Sequence, residues 1–203
     1  MLDRSQSLLP RLDDWMSCTD SLRRVDAIFV LAGREIRKHY GLELFRQGLA
    51  PRILFSVARF EIRRFSKMSL PTPLDLLKLA SDVPPPLRHF FVLFEGGRVQ
   101  VEYVLPRRFG TLTEIESLAR WLDKNPEIHS LLVISTSTHL RRVRMCCRSL
   151  FSTNIEVTLI AAPESSSTAD EGRQSAIKST RAVLIELLKV LLYWALLRLR
   201  QRS

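Results

Sequence analysis

The stretch from Leu131 to Arg148, LLVISTSTHLRRVRMCCR, constrains the fold more than any other part of the chain. Four apolar residues come first, then four small hydroxyl residues, and then a basic segment. This order predicts a buried strand that ends in a polar turn and leads into a helix. In an open α/β sheet, ligands bind where the carboxyl ends of strands meet the free N–H groups of helices. The stretch therefore predicts a ligand site at one edge of such a sheet.

A second stretch repeats this order near the start of the chain. The run VDAIFVLAG, residues 25–33, is continuously apolar and ends in a glycine turn. Continuous apolar runs are typical of strands that are buried on both faces. A helix is predicted over residues 34–48, with Gly48 placed to end it, and RILFSV, residues 52–57, predicts the next strand. Two strands joined through a helix are expected to be parallel.

The later apolar runs extend this sheet. Residues 89–106, HFFVLFEGGRVQVEYVLP, predict two strands around a Gly-Gly pair, and both a hairpin and a parallel crossover are compatible with the pattern. A helix is predicted over residues 111–124 and a further strand over residues 155–161. We therefore predict an α/β fold, a Rossmann-like three-layer sandwich with a mostly parallel sheet.

The length of 203 residues suits one main domain. We expect residues 1–24 to form an N-terminal arm or helix, and residues 25–203 to form the α/β domain. An apolar C-terminal helix is predicted over residues 176–200, but its longest uncharged run, residues 190–197, is shorter than the ~20 residues of a membrane span. We expect this helix to pack on the sheet, with an in-plane membrane helix as the alternative. One stripe of the helix is polar and comprises Lys178, Arg181, Glu186, Lys189, Tyr193 and Arg200.

The charge of the chain favours an anionic partner. Lys and Arg number 31 against 21 Asp and Glu, which gives a net charge of +10. Such an excess is typical of proteins that bind phosphate, nucleotides, nucleic acid or acidic lipid surfaces. No recognition-helix pattern and no strand with interleaved aromatic and basic residues is evident, so nucleic acid is disfavoured. A small anionic ligand is the expected partner, with membrane-surface contact through the C-terminal helix as a second.

Several classes of protein are disfavoured by missing motifs. The three cysteines lack C-x-x-C spacing, which indicates a reducing compartment, and the charged opening residues with Pro10 do not resemble a secretory signal. We expect a cytoplasmic protein, or one peripheral on the inner membrane. His39, His89 and His129 lack metal-ligand spacing, so no metal site is predicted. The P-loop pattern of ATPases and the G-x-S-x-G pattern of serine hydrolases are also absent.

Three motifs resemble those of one known family of α/β proteins. DAIFVLAG, residues 26–33, is similar to the family's opening strand D-A-I-V-V-L-G-G, with one glycine replaced. GTLTE, residues 110–114, is similar to its helix start N-T-x-x-E, with glycine in place of asparagine. ISTSTHLRR, residues 134–142, is similar to its motif V-T-S-x-x-H-x-x-R and is the most specific of the three.

Two further motifs extend the resemblance. The family's second strand ends in Ser-Gly-Gly followed by a carboxylate, which Ser56 and Glu61 match, although residues 57–58 replace the glycines. The family closes with E-x-x-K-x-x-x-Y, which is similar to Glu186, Lys189 and Tyr193. Together the five motifs resemble the YdcF/SanA/ElyC-like family, also known as domain of unknown function 218, over residues 26–193.

This resemblance implies a Rossmann-like fold, a role in bacterial envelope and lipid-carrier biology, and S-adenosylmethionine as one candidate cofactor. It also implies a strand-end pocket with His139 as acid or base, and Glu61 as its partner in proton transfer. Whether such a protein is an enzyme stays open, because the alternative is a non-catalytic envelope adaptor with a degenerate pocket. The residues expected to bind the ligand are Gly33, Ser56, Thr111, Thr136 and Arg142.

Overall fold

A six-stranded sheet organises the part of the chain that the computed structural model describes, which is residues 19–104, 110–163, 185–186, 188–195 and 198. The strands are β1 (Ala27–Val30), β2 (Arg52–Ala58), β3 (His89–Glu95), β4 (Arg98–Tyr103), β5 (Ser130–Ser135) and β6 (Glu156–Ala161). The helices within residues 19–163 are α1 (Glu35–Arg46), α2 (Ile62–Phe65), α3 (Leu76–Ser81), α4 (Gly110–Lys124) and α5 (Ser137–Leu150), with a 3₁₀ turn at Pro85–Leu87.

The strand order is β4-β3-β2-β1-β5-β6. Strands β2, β1, β5 and β6 are parallel to one another, whereas β3 is antiparallel to both β2 and β4. The prediction of a Rossmann-like three-layer α/β sandwich with a mostly parallel sheet is confirmed. The sequence around the Gly-Gly pair was compatible with a hairpin or a parallel crossover, and the structure shows the hairpin. Gly96 and Gly97, with φ of +53° and +76°, form the turn between β3 and β4.

Strands β1 and β5 lie at the centre of the sheet and are buried on both faces. Phe29 and Val133 pack with α4 and α5 on one face, and Ile28 and Ile134 pack with α1 on the other. Because both faces are covered by helices, neither strand has a polar face, and the sequence of each is a continuous apolar run.

Helix α1 approaches the sheet closely at Gly41. A Cβ atom at this position would lie 2.5 Å from Cγ2 of Val30, so the contact requires glycine. The helix ends at Arg46, and Gly48 follows with a left-handed φ of +77°. The predicted stop at Gly48 is therefore confirmed.

The described end of the predicted N-terminal arm, residues 19–24, has no regular secondary structure and lies along the edge strand β6. The backbone N–H of Asp20 donates to the carbonyl of Leu159 at 2.8 Å, and the N–H of Leu159 donates to the Asp20 carboxylate, also at 2.8 Å. Arg23 donates to the Thr158 hydroxyl at 2.8 Å. Residues 1–18 of the predicted arm lie outside the described residues.

All described residues of the predicted C-terminal helix, 185–186, 188–195 and 198, are helical. The polar stripe of this helix packs against the rest of the protein, since its members Glu186 and Tyr193 are buried. Its large apolar side chains are exposed, which is the reverse of the expected packing through an apolar face. Within the described residues, no helix has the length and apolar character needed to cross a membrane. The exposed apolar side chains are Ile185, Leu188, Leu191, Leu192 and Trp194.

Candidate functional site

The predicted site residues lie at the carboxyl edge of the parallel strands. Gly33 follows β1, Ser56 lies in β2 with Glu61 just after it, and Thr136 and His139 follow β5. Helix α1 leaves β1 on one face of the sheet, and α5 leaves β5 on the opposite face. Strands β1 and β5 are neighbours, so a topological switch point, the usual position of ligand crevices in α/β sheets, lies between them.

Arg37 of α1 connects the ends of β1 and β5. Its guanidinium donates to the Ala32 carbonyl at 2.6 Å, to the Thr136 hydroxyl at 2.8 Å and to Nδ1 of His139 at 2.8 Å. Gly33 makes room for this group, because a Cβ atom at Gly33 would lie 2.9 Å from Nη1 of Arg37. Its φ of +127° also favours glycine. The side chain of Arg37, which is 3% exposed, thus holds the two strand ends together.

The contact with Arg37 determines which nitrogen of His139 carries the proton. A guanidinium can only donate hydrogen bonds, so Nδ1 of His139 accepts and the ring proton is on Nε2. Nε2 lies 3.3 Å from Oε1 of Glu186. Burial and the charge of Arg37 lower the pKa of His139, whereas Glu186 raises it. The lowering effects are the larger, so the pKa of His139 lies below its usual value. His139 is therefore a neutral hydrogen-bond donor through Nε2.

Three donors converge on the Glu186 carboxylate of the C-terminal helix. Lys189 Nζ donates to Oε1 at 2.7 Å, His139 Nε2 lies 3.3 Å from the same oxygen, and Arg142 Nη1 lies 3.2 Å from Oε2. Burial favours a higher pKa, but the hydrogen bonds from His139 and Lys189 and the charge of Arg142 lower the pKa of Glu186 to about 2. Arg142, one of the residues expected to bind the ligand, also lies over the Tyr193 ring at 5.3 Å.

Glu61 makes a second buried ion pair. It accepts from Lys38 Nζ at 2.7 Å, from the backbone N–H of Ala58 at 3.3 Å and from the N–H of Gly33. Lys38 is 2% exposed, so the pair is almost entirely removed from water. These bonds hold the loops after β1 and β2 together. The proton-transfer pairing of Glu61 with His139 stays a prediction, since the bonds of Glu61 run to Lys38 and the backbone.

Ser56 lies inside a third polar chain. Its hydroxyl is 2.7 Å from Nε2 of His89 and hydrogen-bonds to Glu114 of α4. Glu114 in turn accepts from the backbone N–H of Ala32 at 2.8 Å. Burial raises the pKa of Glu114 and lowers the pKa of His89 to about 4. Ser56 is fully buried, and its hydrogen bond to Glu114 connects β2 to α4.

Thr111 lies at the start of α4 and faces the C-terminal helix. Its side chain hydrogen-bonds to Tyr193, which also bonds to the backbone of Leu112. Tyr193 lies against Arg142, so Thr111 is linked to the site indirectly, by its hydrogen bond to Tyr193. All seven residues predicted from the sequence therefore lie in one connected region, though Ser56, Glu61 and Thr111 are bound to other side chains.

The site contains equal numbers of buried cationic and acidic side chains. Each of these six side chains belongs to a residue that is at most 6% exposed. Among the described residues, Nε of Arg37 and Nε of Arg142 are buried without a hydrogen-bond partner. These two N–H groups are buried donors whose hydrogen bonds are not made within the described part of the chain. The cations are Arg37, Lys38 and Arg142, and the acids are Glu61, Glu114 and Glu186.

Sequence reasoning missed Arg37 and Lys38, because the helix predicted over residues 34–48 was given no role in the site. A signal was present, since the two residues lie four and three positions before Gly41, on the face of α1 that contacts the sheet. Glu114 occurred only within a family motif, and Glu186 occurred within a family motif and in the polar stripe of the C-terminal helix. Within the described residues, no group of three or more His, Cys, Asp or Glu side chains could hold a metal ion.

Comparison of the chain with models of protein families, with curated proteins and with solved structures gives no match.

Proposed function

We propose that the chain is a YdcF-like protein that binds a small anionic ligand between the ends of β1 and β5, and that it acts in bacterial envelope biogenesis. The candidate ligands are a nucleotide, S-adenosylmethionine or a phosphorylated envelope precursor. One observation carries the proposal. Arg37, His139 and Arg142 bring N–H donors into one buried region at the topological switch point, and the two guanidinium Nε atoms have no hydrogen-bond partner among the described residues.

The family resemblance adds support because its motifs meet in space. Glu114, from the third motif in chain order, accepts a hydrogen bond from Ala32, from the first. His139 and Arg142, from the fourth, contact Glu186, from the last. Residues that are far apart in sequence but share one site are what a common binding function would require.

The proposal concerns binding rather than a particular reaction. His139 carries its proton on Nε2 and receives Arg37 on Nδ1, so it is suited to donate a hydrogen bond to an oxyanion. Arg142 is suited to neutralise the charge of that oxyanion, since a guanidinium binds phosphate or carboxylate in a fork. An enzymatic role would need a proton acceptor besides Glu61, whose oxygens already bind Lys38 and backbone N–H groups.

A thermal-shift screen tests the proposal. Nucleotides, S-adenosylmethionine and isoprenoid phosphates should include a ligand that stabilises the wild-type protein by about 2.7 kcal/mol at roughly 100 times its Kd. His139→Ala should remove this stabilisation, because it deletes a donor to the ligand. His39→Ala, at a histidine that is 55% exposed, is the matched control and should keep it. The proposal fails if no compound raises Tm, or if His139→Ala responds like the wild type.

The C-terminal helix supports a second candidate function, that of a peripheral membrane-associated adaptor. It exposes Leu188, Leu191, Leu192 and Trp194, and Arg198 lies over the Trp194 ring at 5.3 Å. Apolar side chains beside basic ones are typical of helices that lie in the membrane interface. With a net charge of +10, the fitting partner is an anionic lipid surface, the cytoplasmic face of the inner membrane.

Vesicle flotation tests this candidate. The full chain should float with vesicles that contain phosphatidylglycerol, and Leu188→Glu with Leu191→Glu should reduce the bound fraction at least tenfold. Each leucine is expected to contribute about 1.5–3 kcal/mol when it is buried in lipid. Leu77→Glu with Leu87→Glu changes two exposed leucines elsewhere and should float like the wild type. Equal flotation of the two double variants would contradict a role for the helix.

A further inference from the structure

The Glu186 carboxylate lies against Nε2 of His139 and Nη1 of Arg142, and these two donor groups are called the receptor below. His139 and Arg142 come from α5, whereas Glu186 belongs to the separate C-terminal helix. Without Glu186, the buried guanidinium of Arg142 would lose its ion pair. A buried charge is costly unless it is paired, so this position requires an anion.

The fit of Glu186 to this receptor is incomplete. Its Oε2 lies 3.2 Å from Nη1 of Arg142, but the geometry is not that of a hydrogen bond. Nε of Arg142 is also buried without a partner among the described residues. A carboxylate has only two oxygens, and of these Oε1 of Glu186 already accepts from Lys189. A tetrahedral phosphoryl group has three oxygens, which can accept from Nε2 of His139 and from Nη1 of Arg142 and still leave an acceptor for a further donor of the site.

We propose that Glu186 occupies the position of the ligand's terminal phosphoryl group, so that the ligand is a phosphate monoester and the C-terminal helix gives way when it binds. The inference rests on the proposed function for the location of the site. The donors on His139 and Arg142 bind either Glu186 or the ligand, and the helix therefore competes with the ligand. Tight binding then requires the phosphoryl group to satisfy these donors better than Glu186 does.

Two substitutions at Glu186 separate an empty receptor from a filled one. Glu186→Ala removes the side chain and opens the position, whereas Glu186→Gln keeps its shape and removes its charge. The probes are inorganic phosphate and acetate, measured against chloride at equal ionic strength. At about 100 times its Kd, phosphate should raise the Tm of Glu186→Ala by about 5–10 °C. Acetate should raise it less, and Glu186→Gln and the wild type should respond to neither beyond chloride.

Controls decide whether the response belongs to this receptor. Glu156→Ala removes an exposed carboxylate that pairs with Arg23, and it should show no response to phosphate. His139→Ala in the Glu186→Ala background should reduce the phosphate response. If Glu186→Ala is unfolded in chloride, refolding in phosphate supports the proposal, and failure to refold while Glu186→Gln is folded contradicts it. A folded Glu186→Ala protein that responds to phosphate no more than Glu156→Ala does also overturns it.

The outcomes distinguish this inference from the proposed function. A metabolite that stabilises the wild type and Glu186→Gln equally, with no phosphate response in Glu186→Ala, would keep the proposed function and reject the role of Glu186. A phosphate response in Glu186→Ala, with no ligand found for the wild type in the screen, would support the receptor and reject the proposed function.

Discussion

Glu61→Ala should lower the free energy of unfolding by about 3–5 kcal/mol, because it leaves the Lys38 ammonium buried without its partner. Lys38 is 2% exposed, so water does not replace the lost partner in the folded structure. The substitution also removes the acceptor for the N–H groups of Gly33 and Ala58, which adds to the loss. Urea denaturation followed by circular dichroism measures the effect.

A double-mutant cycle separates the pair from its surroundings. Lys38→Met combined with Glu61→Gln removes both charges and keeps an acceptor near Gly33, so it should cost less than the sum of the two single changes. The exposed pair of Arg23 and Glu156 is the matched control, and Glu156→Ala should cost less than about 1 kcal/mol. A cost for Glu61→Ala as small as that for Glu156→Ala would show that the buried pair is not coupled.

His89 should make the protein less stable as the pH falls from 6.5 to 4. Burial lowers the pKa of His89 from 6.5 to about 4 in the folded state, so between these values the unfolded chain binds more protons than the folded protein. The free energy of unfolding therefore decreases as the pH falls through this window, and the contribution of His89 levels off below about pH 4. The pKa difference corresponds to about 3 kcal/mol.

The comparison that isolates this effect is His89→Gln, since glutamine can still donate to Ser56 but does not titrate. Urea denaturation at several pH values should show that His89→Gln loses less stability than the wild type between pH 6.5 and 4. His39→Gln changes an exposed histidine and should keep the wild-type pH dependence. The same slope in the wild type and in His89→Gln would contradict the assigned protonation of His89.

The sheet was predictable because each of its central strands can be identified from its own residues. Strands β1 and β5 are buried on both faces, so each is a continuous apolar run that no exposed element would tolerate. The direction of β3 was not predictable from its own residues. An apolar run fits a parallel or an antiparallel neighbour equally well, and the pairing of Arg52–Ala58 with His89–Glu95 depends on the connection between them.

The site was only partly predictable, because its charged residues are buried by partners that are distant in sequence. His139 and Arg142 follow a strand end, and their position alone indicates the site. Arg37 and Lys38 look like solvent-facing residues of a basic helix until Glu61 and Glu114 supply buried partners for them. The C-terminal helix is the same case in reverse: its apolar face predicts packing inward, but the pairing of Glu186 with α5 turns it outward.

The pairing of buried cations with buried acids has a consequence for evolution. Loss of one member of a buried pair leaves the other charge buried without a partner, so a lineage that loses Lys38 is under selection to lose Glu61 as well. The same holds for Arg142 and Glu186. In related chains, positions 38 and 61 should covary, as should positions 142 and 186. Positions 23 and 156, an exposed pair, are free to drift independently.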